Sequence, residues 1–247
     1  MSKVRLGTLA VLGLSIAVLS GPALAETFEL DPDHTEVRFT WDHLGLSRQG
    51  GRFSGVTGKV DFDPDQPAES KVDVTIPMKS LSTGIKKLDE HLITTREFFD
   101  VASYPTITFK STGVTMKSDR TADVSGTLTI NGISKPVVLD VLWNGTGPHP
   151  LAGINPNYAG KIVSGFSATT QIRRSDWGIT RTVPFVSDEI LISIETEMNR
   201  NATDADAGMP ELNAGTPREA GGDAPPAGPA GVVPPDGAVD RGARAPD

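Results

Sequence analysis

The sequence has 247 residues, enough for one domain with a sizeable core or for two small ones. Its formal net charge of -8 at pH 7 argues against nucleic acid and anionic membrane surfaces as partners. It contains no cysteine, so disulfides and lipid attachment to an N-terminal cysteine are excluded, and the core must hold by packing alone.

The first 25 residues have the three regions of a secretory signal peptide. Lys3 and Arg5 precede an apolar run over residues 6–19, and Ala23-Leu24-Ala25 is a small-residue cleavage pattern. The run is shorter than the ~20 apolar residues that a membrane-spanning helix needs, which makes a transmembrane anchor the weaker interpretation. We therefore predict export, removal of residues 1–25 and no stable membrane insertion.

Three strands are predicted between residues 35 and 76, because apolar side chains there alternate with polar ones. Their apolar positions are Val37, Phe39 and Trp41, then Val56, Val60 and Phe62, then Val72, Val74 and Ile76. Glycine-rich residues 44–55 are predicted to form a loop between the first two strands. Residues 63–67, Asp-Pro-Asp-Gln-Pro, are predicted to form the turn before the third.

A helical insertion follows the third strand. Ile85, Leu88 and Leu92 recur at helical spacing, and Phe98 and Phe99 come directly after them. We expect this segment to bring two aromatic rings to one place and to cover an open edge or an open end of the sheet.

Five more strands are predicted after the insertion. Their apolar positions include Ile107 and Phe109, then Val124, Leu128 and Ile130, then residues 135–143, then Ile162, Phe166, Ala168 and Ile172, and finally Ile190, Ile192 and Ile194. Asn131-Gly132 predicts a tight hairpin, because a type I′ turn needs positive φ at both central residues. Residues 144–160 are predicted to be a loop because Gly and Pro punctuate them throughout.

About eight antiparallel strands joined mostly by short turns can close on themselves, which removes exposed edges. We predict an all-β fold, an eight-stranded antiparallel up-and-down barrel with a short helical insertion between strands 3 and 4. A barrel of this size has room for packed side chains or for one slim ligand.

Residues 199–247 are rich in Ala, Gly, Pro and Asp and have few large apolar side chains. Such a segment cannot bury enough surface to offset its ordering entropy, so we predict a disordered tail after a barrel domain at residues 26–198. A solvated spacer is the favoured role, with partner binding as the alternative.

Nothing in the sequence predicts catalysis or a metal site. There is no cysteine and no Gly-x-Ser-x-Gly nucleophile turn. The four histidines, His34, His43, His91 and His149, lack metal-ligand spacing. A site assembled in space from His34 and His43 is left open beside the simpler interpretation that both form hydrogen bonds at strand ends.

Three ordered motifs carry a family resemblance. They are HL…T…EFFD…YP.I.FKST (residues 91–112), SGTLTINGISKPVVLDV (residues 125–141) and IRRSDWGI (residues 172–179). Together they resemble the YceI-like polyisoprenoid-binding proteins over residues 26–198. The resemblance implies a lipocalin-like periplasmic barrel, without catalysis or cofactor, that binds or carries an isoprenoid lipid such as a polyprenyl pyrophosphate or a ubiquinone-like molecule.

The predicted ligand-binding residues are the inward apolar positions of the strands, the insertion, and one arginine with its neighbouring tryptophan. They are Val37, Phe39, Trp41, Phe62, Ile76, Leu92, Phe98, Phe99, Phe109, Leu128, Ile130, Phe166, Arg174 and Trp177. Alternation alone favours a filled core for the apolar ones, and only the family resemblance favours a ligand cavity.

Arg174 is the preferred candidate for holding a lipid head, because it matches the family motif and the planar guanidinium suits phosphate. The other cations predicted near a barrel mouth are Arg48, Arg52, Lys86, Lys87, Arg96 and Arg173. The chain departs from the family pattern in two places. Trp177 stands where phenylalanine is common, and residues 47–53 are more polar than usual.

Three other functions stay open at this point. The barrel could carry a fatty acid or a fatty amide instead. It could hold a quinone for a redox reaction, which two convergent titratable groups in the lumen would favour. It could also be an envelope stress-response module, if aromatic rings fill the lumen. A homodimer is left open as well.

Overall fold

The structure, a computed structural model, describes residues 25–212. It contains ten strand segments and one α-helix, with five short 3-10 turns between or after them. The elements are β1 (Glu26–Leu30), β2 (Glu36–His43), β3 (Ser47–Phe53), β4 (Thr57–Phe62), β5 (Lys71–Pro77), α1 (Lys86–Thr94), β6 (Thr106–Met116), β7 (Thr121–Ile130), β8 (Ile133–Pro148), β9 (Lys161–Arg173) and β10 (Glu189–Asn201).

The ten segments form eight strands of a closed antiparallel barrel. β1 and β2 lie end to end along β10, with Leu30 opposite Met198 and Val37 opposite Ile194, so together they make one interrupted strand. β4 pairs with β1 and β3 pairs with β2, which makes a second interrupted strand. Every later strand pairs with its sequence neighbour, and β10 returns to β1 and β2. The predicted eight-stranded up-and-down barrel is confirmed.

The predicted loop at residues 44–55 is wrong in part, because it contains β3. This strand, SRQGGRF, lacks the apolar alternation that identified the others. Gly51 lies opposite Phe39, and a Cβ built on it would lie 2.7 Å from Phe39 Cζ. The glycine here makes room for an aromatic ring of the neighbouring strand and does not mark a loop.

The predicted loop at residues 144–160 also begins too early. β8 continues to Pro148 after an irregularity in its pairing with β9 between Trp143 and Gly145. A bulge inserts an extra residue, which shifts the alternation of apolar and polar positions by one. A prediction based on strict alternation therefore ends the strand at the bulge.

One end of the barrel, called here the helix end, carries residues 44–46, 78–105, 131–132 and 174–188. α1 lies between β5 and β6, the third and fourth strands of the barrel, as predicted. Its start is organised by Asp89, which accepts hydrogen bonds from the Thr83 backbone N–H and hydroxyl, both at 2.6 Å. Leu92 and Ile93 of α1 pack against the core.

The opposite end, called here the far end, contains a second buried cluster, made of Phe28, Phe62, Ile162 and Met198. The Phe62 ring lies edge-on to Phe166, with centroids 5.2 Å apart. All described apolar neighbours of this cluster come from the barrel strands, except Met209, which lies beyond β10.

Residues 199–212, assigned by the sequence to the tail, continue the described structure. β10 runs to Asn201, and a 3-10 turn, Asp204–Asp206, follows. The Arg200 guanidinium lies 5.0 Å over the Phe28 ring and forms ion pairs with Glu26 and Asp206. The tail prediction for residues 213–247 and the signal prediction for residues 1–24 fall outside the described residues.

Within residues 25–212, no helix is both long and apolar enough to cross a membrane.

Candidate ligand-binding cavity

A cavity of about 650 Å³ runs through the barrel. All fourteen residues predicted to bind a ligand line it. They come from six of the eight strands, from α1 and the segment after it, and from the β9–β10 loop. The structure therefore brings the predicted set together around one lumen, while their contact with a ligand stays a prediction.

The regular strands build this lining by alternation. Along β7 every second residue is buried, and Val124, Leu128 and Ile130 point into the cavity. Gly126 occupies the same face, and a Cβ built on it would lie 2.3 Å from Phe109 Cζ. The ring of Phe109 therefore occupies the space that a side chain at position 126 would need.

Aromatic rings form the wall at the helix end. Phe39 stacks on Trp41 with centroids 5.9 Å apart and meets Phe53 at 5.3 Å, and Phe53 meets Phe99 edge-on at 6.4 Å. The backbone of Phe98 is fixed by the β7–β8 turn, because Asn131 Nδ2 donates to the Phe98 carbonyl at 2.8 Å. The predicted aromatic insertion covers part of this end and leaves the lumen unfilled.

The lining reaches the surface at both ends. His43, Gln49, Ile85 and Thr182 are exposed lining residues at the helix end. Asp119 and Arg120 are exposed lining residues in the β6–β7 turn at the far end. Between the two ends, the polar side chains that line the strand walls include Thr170 on β9 and Thr196 on β10. A ligand in the lumen would therefore meet charged groups only near its two ends.

Arg174 lies buried at the helix end, with 7% of its surface exposed. Its guanidinium donates four hydrogen bonds to backbone carbonyls, those of Ser187 at 2.9 Å, Ile179 at 3.1 Å, Arg181 at 2.8 Å and Val186 at 2.9 Å. Burial lowers the pKa of Arg174 below its ordinary value, and Asp188 opposes that shift. The arginine thus organises the loop of residues 174–188, and little of its donor capacity is left for a lipid head.

Trp177, in the 3-10 turn after β9, is almost fully buried. Its Nε1–H donates to the Leu128 carbonyl at 3.2 Å, so the larger ring has a partner for its polar atom. This contact ties the β9–β10 loop to β7.

Arg120 is the second arginine of the lining. Its Nε donates to the Trp143 carbonyl and its Nη2 to the Asn144 carbonyl, both at 3.0 Å. Among the described residues, the lining contains no lysine and no other arginine. The remaining cations predicted near the mouth lie outside the lining, and several are paired there, as in Arg48 with Asp42 and Arg96 with Asp100.

The histidines do not assemble a site. His34 lies at the far end, where Nδ1 is 3.0 Å from Asp31, and His43 lies at the helix end of β2. His149 stacks on Tyr158 with centroids 3.8 Å apart. Over residues 25–212, no three His, Asp or Glu side chains are grouped so that they could hold a metal ion.

The sequence prediction missed several residues of the lining and of the far-end cluster. Phe53 was lost with β3, although it lies opposite Val37 on β2. Phe28 and Leu30 on β1 alternate with Glu29, a signal that was available in the sequence. Trp143 is the last residue of a predicted strand, and Met198 lies three residues beyond the alternation that predicted the last strand.

A closed eight-stranded antiparallel barrel around an apolar lumen defines a lipocalin-like class of small-molecule binding proteins. The model of the YceI-like domain family matches residues 28–198, and the chain belongs to this family.

Relatives and solved structures agree with this assignment. A UPF0312 protein of Ectopseudomonas mendocina is 36% identical over 191 residues, covering 76% of this chain and 95% of that protein. The crystal structure of a Campylobacter jejuni YceI protein matches with a TM-score of 0.56 and 33% identity, over 65% of this chain and 90% of that one. Burkholderia cenocepacia BcnA, 22% identical with a TM-score of 0.59 over 68% of this chain and 98% of that one, shares the fold.

Proposed function

We propose that this protein is a non-catalytic periplasmic carrier that binds one isoprenoid lipid in the barrel lumen. The observation that carries the proposal is the apolar cavity of about 650 Å³, lined by all of the predicted residues. Removing apolar surface from water contributes ~25 cal/mol per Å², so a long hydrocarbon chain needs few polar contacts to bind firmly.

The length of the lumen suits a chain-like ligand. Lining residues on β10 run from Ile190 to Met198. At ~3.3 Å per residue and a strand tilt of ~40°, these positions span roughly 20 Å along the barrel axis. A filled-core module would need the aromatic rings of the insertion to occupy this space, and the cavity argues against that alternative.

The two arginines of the lining favour a neutral head over a pyrophosphate. Arg174 and Arg120 both donate to backbone carbonyls, so a pyrophosphate at either end would have to displace those hydrogen bonds. A phosphate without charged partners is costly to remove from water. A quinone or another neutral polar head avoids this cost and can meet Gln49, His43 or Thr182 at the helix end.

Native mass spectrometry of the protein purified from the periplasmic fraction tests these points together. We expect a chain that begins at Glu26 and carries a lipid whose mass varies in isoprene steps. A chain that keeps residues 1–25 would contradict export with cleavage. A co-purifying fatty amide would support a lipid-binding lumen but contradict an isoprenoid as the ligand.

Thermal unfolding with added lipid provides the quantitative test. A ligand at a hundredfold excess over its Kd stabilises the folded state by about 2.7 kcal/mol. We expect ubiquinone to raise the Tm more than an undecaprenyl pyrophosphate does. Ala168→Phe, which places a ring in the lumen, should abolish the shift, whereas Val138→Phe on the exposed face of β8 should keep it. No shift with either lipid would contradict the proposed function.

A further inference from the structure

Four large apolar side chains are exposed in the loops at the helix end, where the lumen opens. Leu46 is 83% exposed, Phe185 72%, Ile85 56% and Leu44 51%. We call these four residues the apolar rim. Large apolar groups grouped at loop tips are costly in water and mark surfaces that meet a partner.

Backbone contacts hold together the two loops that carry three of the four rim residues, Leu44, Leu46 and Phe185. The Leu44 N–H donates to the Phe185 carbonyl at 2.8 Å, and the Ser187 N–H donates to the Asp42 carbonyl at 2.9 Å. An isolated bridge joins His43 to Val186. The turn after β2 and the β9–β10 loop therefore present their apolar tips as one surface.

The backbone of the turn supports a role for the exposed leucines. Leu44 has a φ of 58° and is followed by Gly45 at 66°. Leucine rarely adopts positive φ, and asparagine or glycine is the usual residue there. The turn thus keeps an apolar side chain where a polar one would suit both the backbone and the solvent.

The rim is continuous with the lumen. Ile85 belongs to both, since it lines the cavity and is more than half exposed. Val186, next to Phe185, also lines the cavity. An apolar chain that leaves the lumen here would pass directly onto the rim.

Charge distinguishes the two ends of the barrel. Close to the rim, cations are matched by acids, as in Arg48 with Asp42, Lys86 with Glu90 and Arg181 with Glu97. The far end carries carboxylates in excess around the β4–β5 turn and the β1–β2 junction. These are Asp31, Asp33, Asp61, Asp63, Asp65 and Glu69. The helix end is therefore the end that a phospholipid surface would repel least.

We propose that the apolar rim docks on the surface of a phospholipid bilayer, so that the ligand moves between membrane and lumen without crossing water. The occupant of the rim is a lipid surface, because the rim continues, through Ile85 and Val186, into a lumen proposed to hold a membrane lipid. This inference rests on the proposed carrier function. Docking is peripheral and needs no spanning segment, because amphipathic surfaces bind at the headgroup boundary.

Vesicle flotation tests the docking. With phosphatidylcholine vesicles, we expect the wild-type protein to float and the double variant Leu46→Ser, Phe185→Ser to lose about tenfold or more of its binding, since each side chain loses its burial. Ile154→Ser is the matched control, because Ile154 is 81% exposed but lies in the β8–β9 loop at the far end. Flotation of the rim variant equal to wild type would overturn the proposal.

Ligand binding in detergent micelles separates this inference from the proposed function. Leu46 and Phe185 do not line the cavity, so the rim variant should bind ubiquinone as the wild type does but transfer it more slowly between vesicles. If the wild-type protein floats with vesicles but binds no ubiquinone in micelles, the proposed carrier function is contradicted and membrane docking is not. A rim variant that floats normally and changes from dimer to monomer by light scattering would assign the rim to a second copy of the chain and overturn membrane docking.

Discussion

Individual residues decide the shape of the lumen, and Gly126 shows how. Its missing side chain leaves the space in which the Phe109 ring lies, on the inward face of β7. A glycine in a strand interior is normally a weakness, because it adds backbone entropy to the unfolded chain and no packing. Here the packing is supplied by the Phe109 ring of the neighbouring strand β6, which fills the space next to the glycine.

Replacing this glycine should be costly. Gly126→Ala places a methyl group inside the Phe109 ring, so we expect a loss of about 1 to 3 kcal/mol in the free energy of unfolding by urea. Gly113→Ala is the matched control on β6, because a Cβ there meets no atom within 4 Å. Equal stabilities for the two variants would show that Phe109 moves aside at no cost.

Arg174 shows that a residue of the family motif can stabilise the fold and need not bind the ligand. Its four hydrogen bonds reach carbonyls spread over residues 179–187, so it supports the whole loop between β9 and β10. Lysine cannot reproduce the planar fork of donors, which makes even the conservative change disruptive.

Arg174→Lys should therefore lower stability by about 2 to 4 kcal/mol, because four carbonyls, one in a buried contact and three in part-buried ones, lose charged donors. The preference for one lipid head over another, measured as the ratio of Tm shifts, should stay unchanged. Arg173→Lys, at an exposed neighbouring position, serves as the control. A normal Tm combined with selective loss of pyrophosphate-lipid binding would return Arg174 to the head-group role.

At the scale of elements, the segment after β10 packs against the barrel, although its composition is typical of a disordered tail. Arg200 pairs with Asp206 at 2.6 Å and lies over Phe28, and Met209 packs on the far-end cluster. The capping box of Thr203 and Asp206 fixes the 3-10 turn between them. The segment thus forms part of the floor of the barrel.

This floor should weaken in acid. The Arg200 guanidinium lowers the pKa of Asp206 to about 2, so the carboxylate stabilises the fold above its unfolded pKa of ~3.9, and that contribution is lost as pH falls toward 2. In wild-type protein we expect about 2 kcal/mol of stability to disappear across this interval. Asp206→Asn should be less stable at neutral pH and show a smaller acid-dependent loss in urea unfolding, whereas Asp204→Asn should follow the wild type.

The helix insertion illustrates what spacing can and cannot predict. Ile85, Leu88 and Leu92 predicted the element correctly, and α1 lies where the strand count placed it. Whether Phe98 and Phe99 would fill the lumen or border it depends on distances across the barrel. Spacing along the chain contains no such information.

For the whole molecule, alternation of apolar and polar residues was enough to predict the closed barrel. All eight strands were predicted, although residues 135–143 are apolar on both faces in places, and the strand interrupted between β3 and β4 was found through Val56, Val60 and Phe62. The predicted lining also assembled, because inward positions of neighbouring strands must share one lumen once the sheet closes.

What the sequence could not predict comes from contacts between distant segments. The partners of Arg174 and Arg120 are carbonyls whose positions depend on the finished fold. Arg200 and Asp206 lie beyond the last predicted strand, in a stretch whose composition resembles a tail. The apolar rim joins residues that are more than a hundred positions apart in sequence.

Closure leaves one strand with an edge that is barely paired. Within residues 25–212, β3 is joined on the side away from β2 by a single bridge, from Arg52 to Ser82. Exposed edges are templates for pairing with other chains, and charged side chains and glycines are the usual protection against it. β3 carries Arg48, Gly50, Gly51 and Arg52. The polar sequence that kept β3 from being predicted as a strand is therefore also the kind of sequence that protects an edge against pairing with other chains.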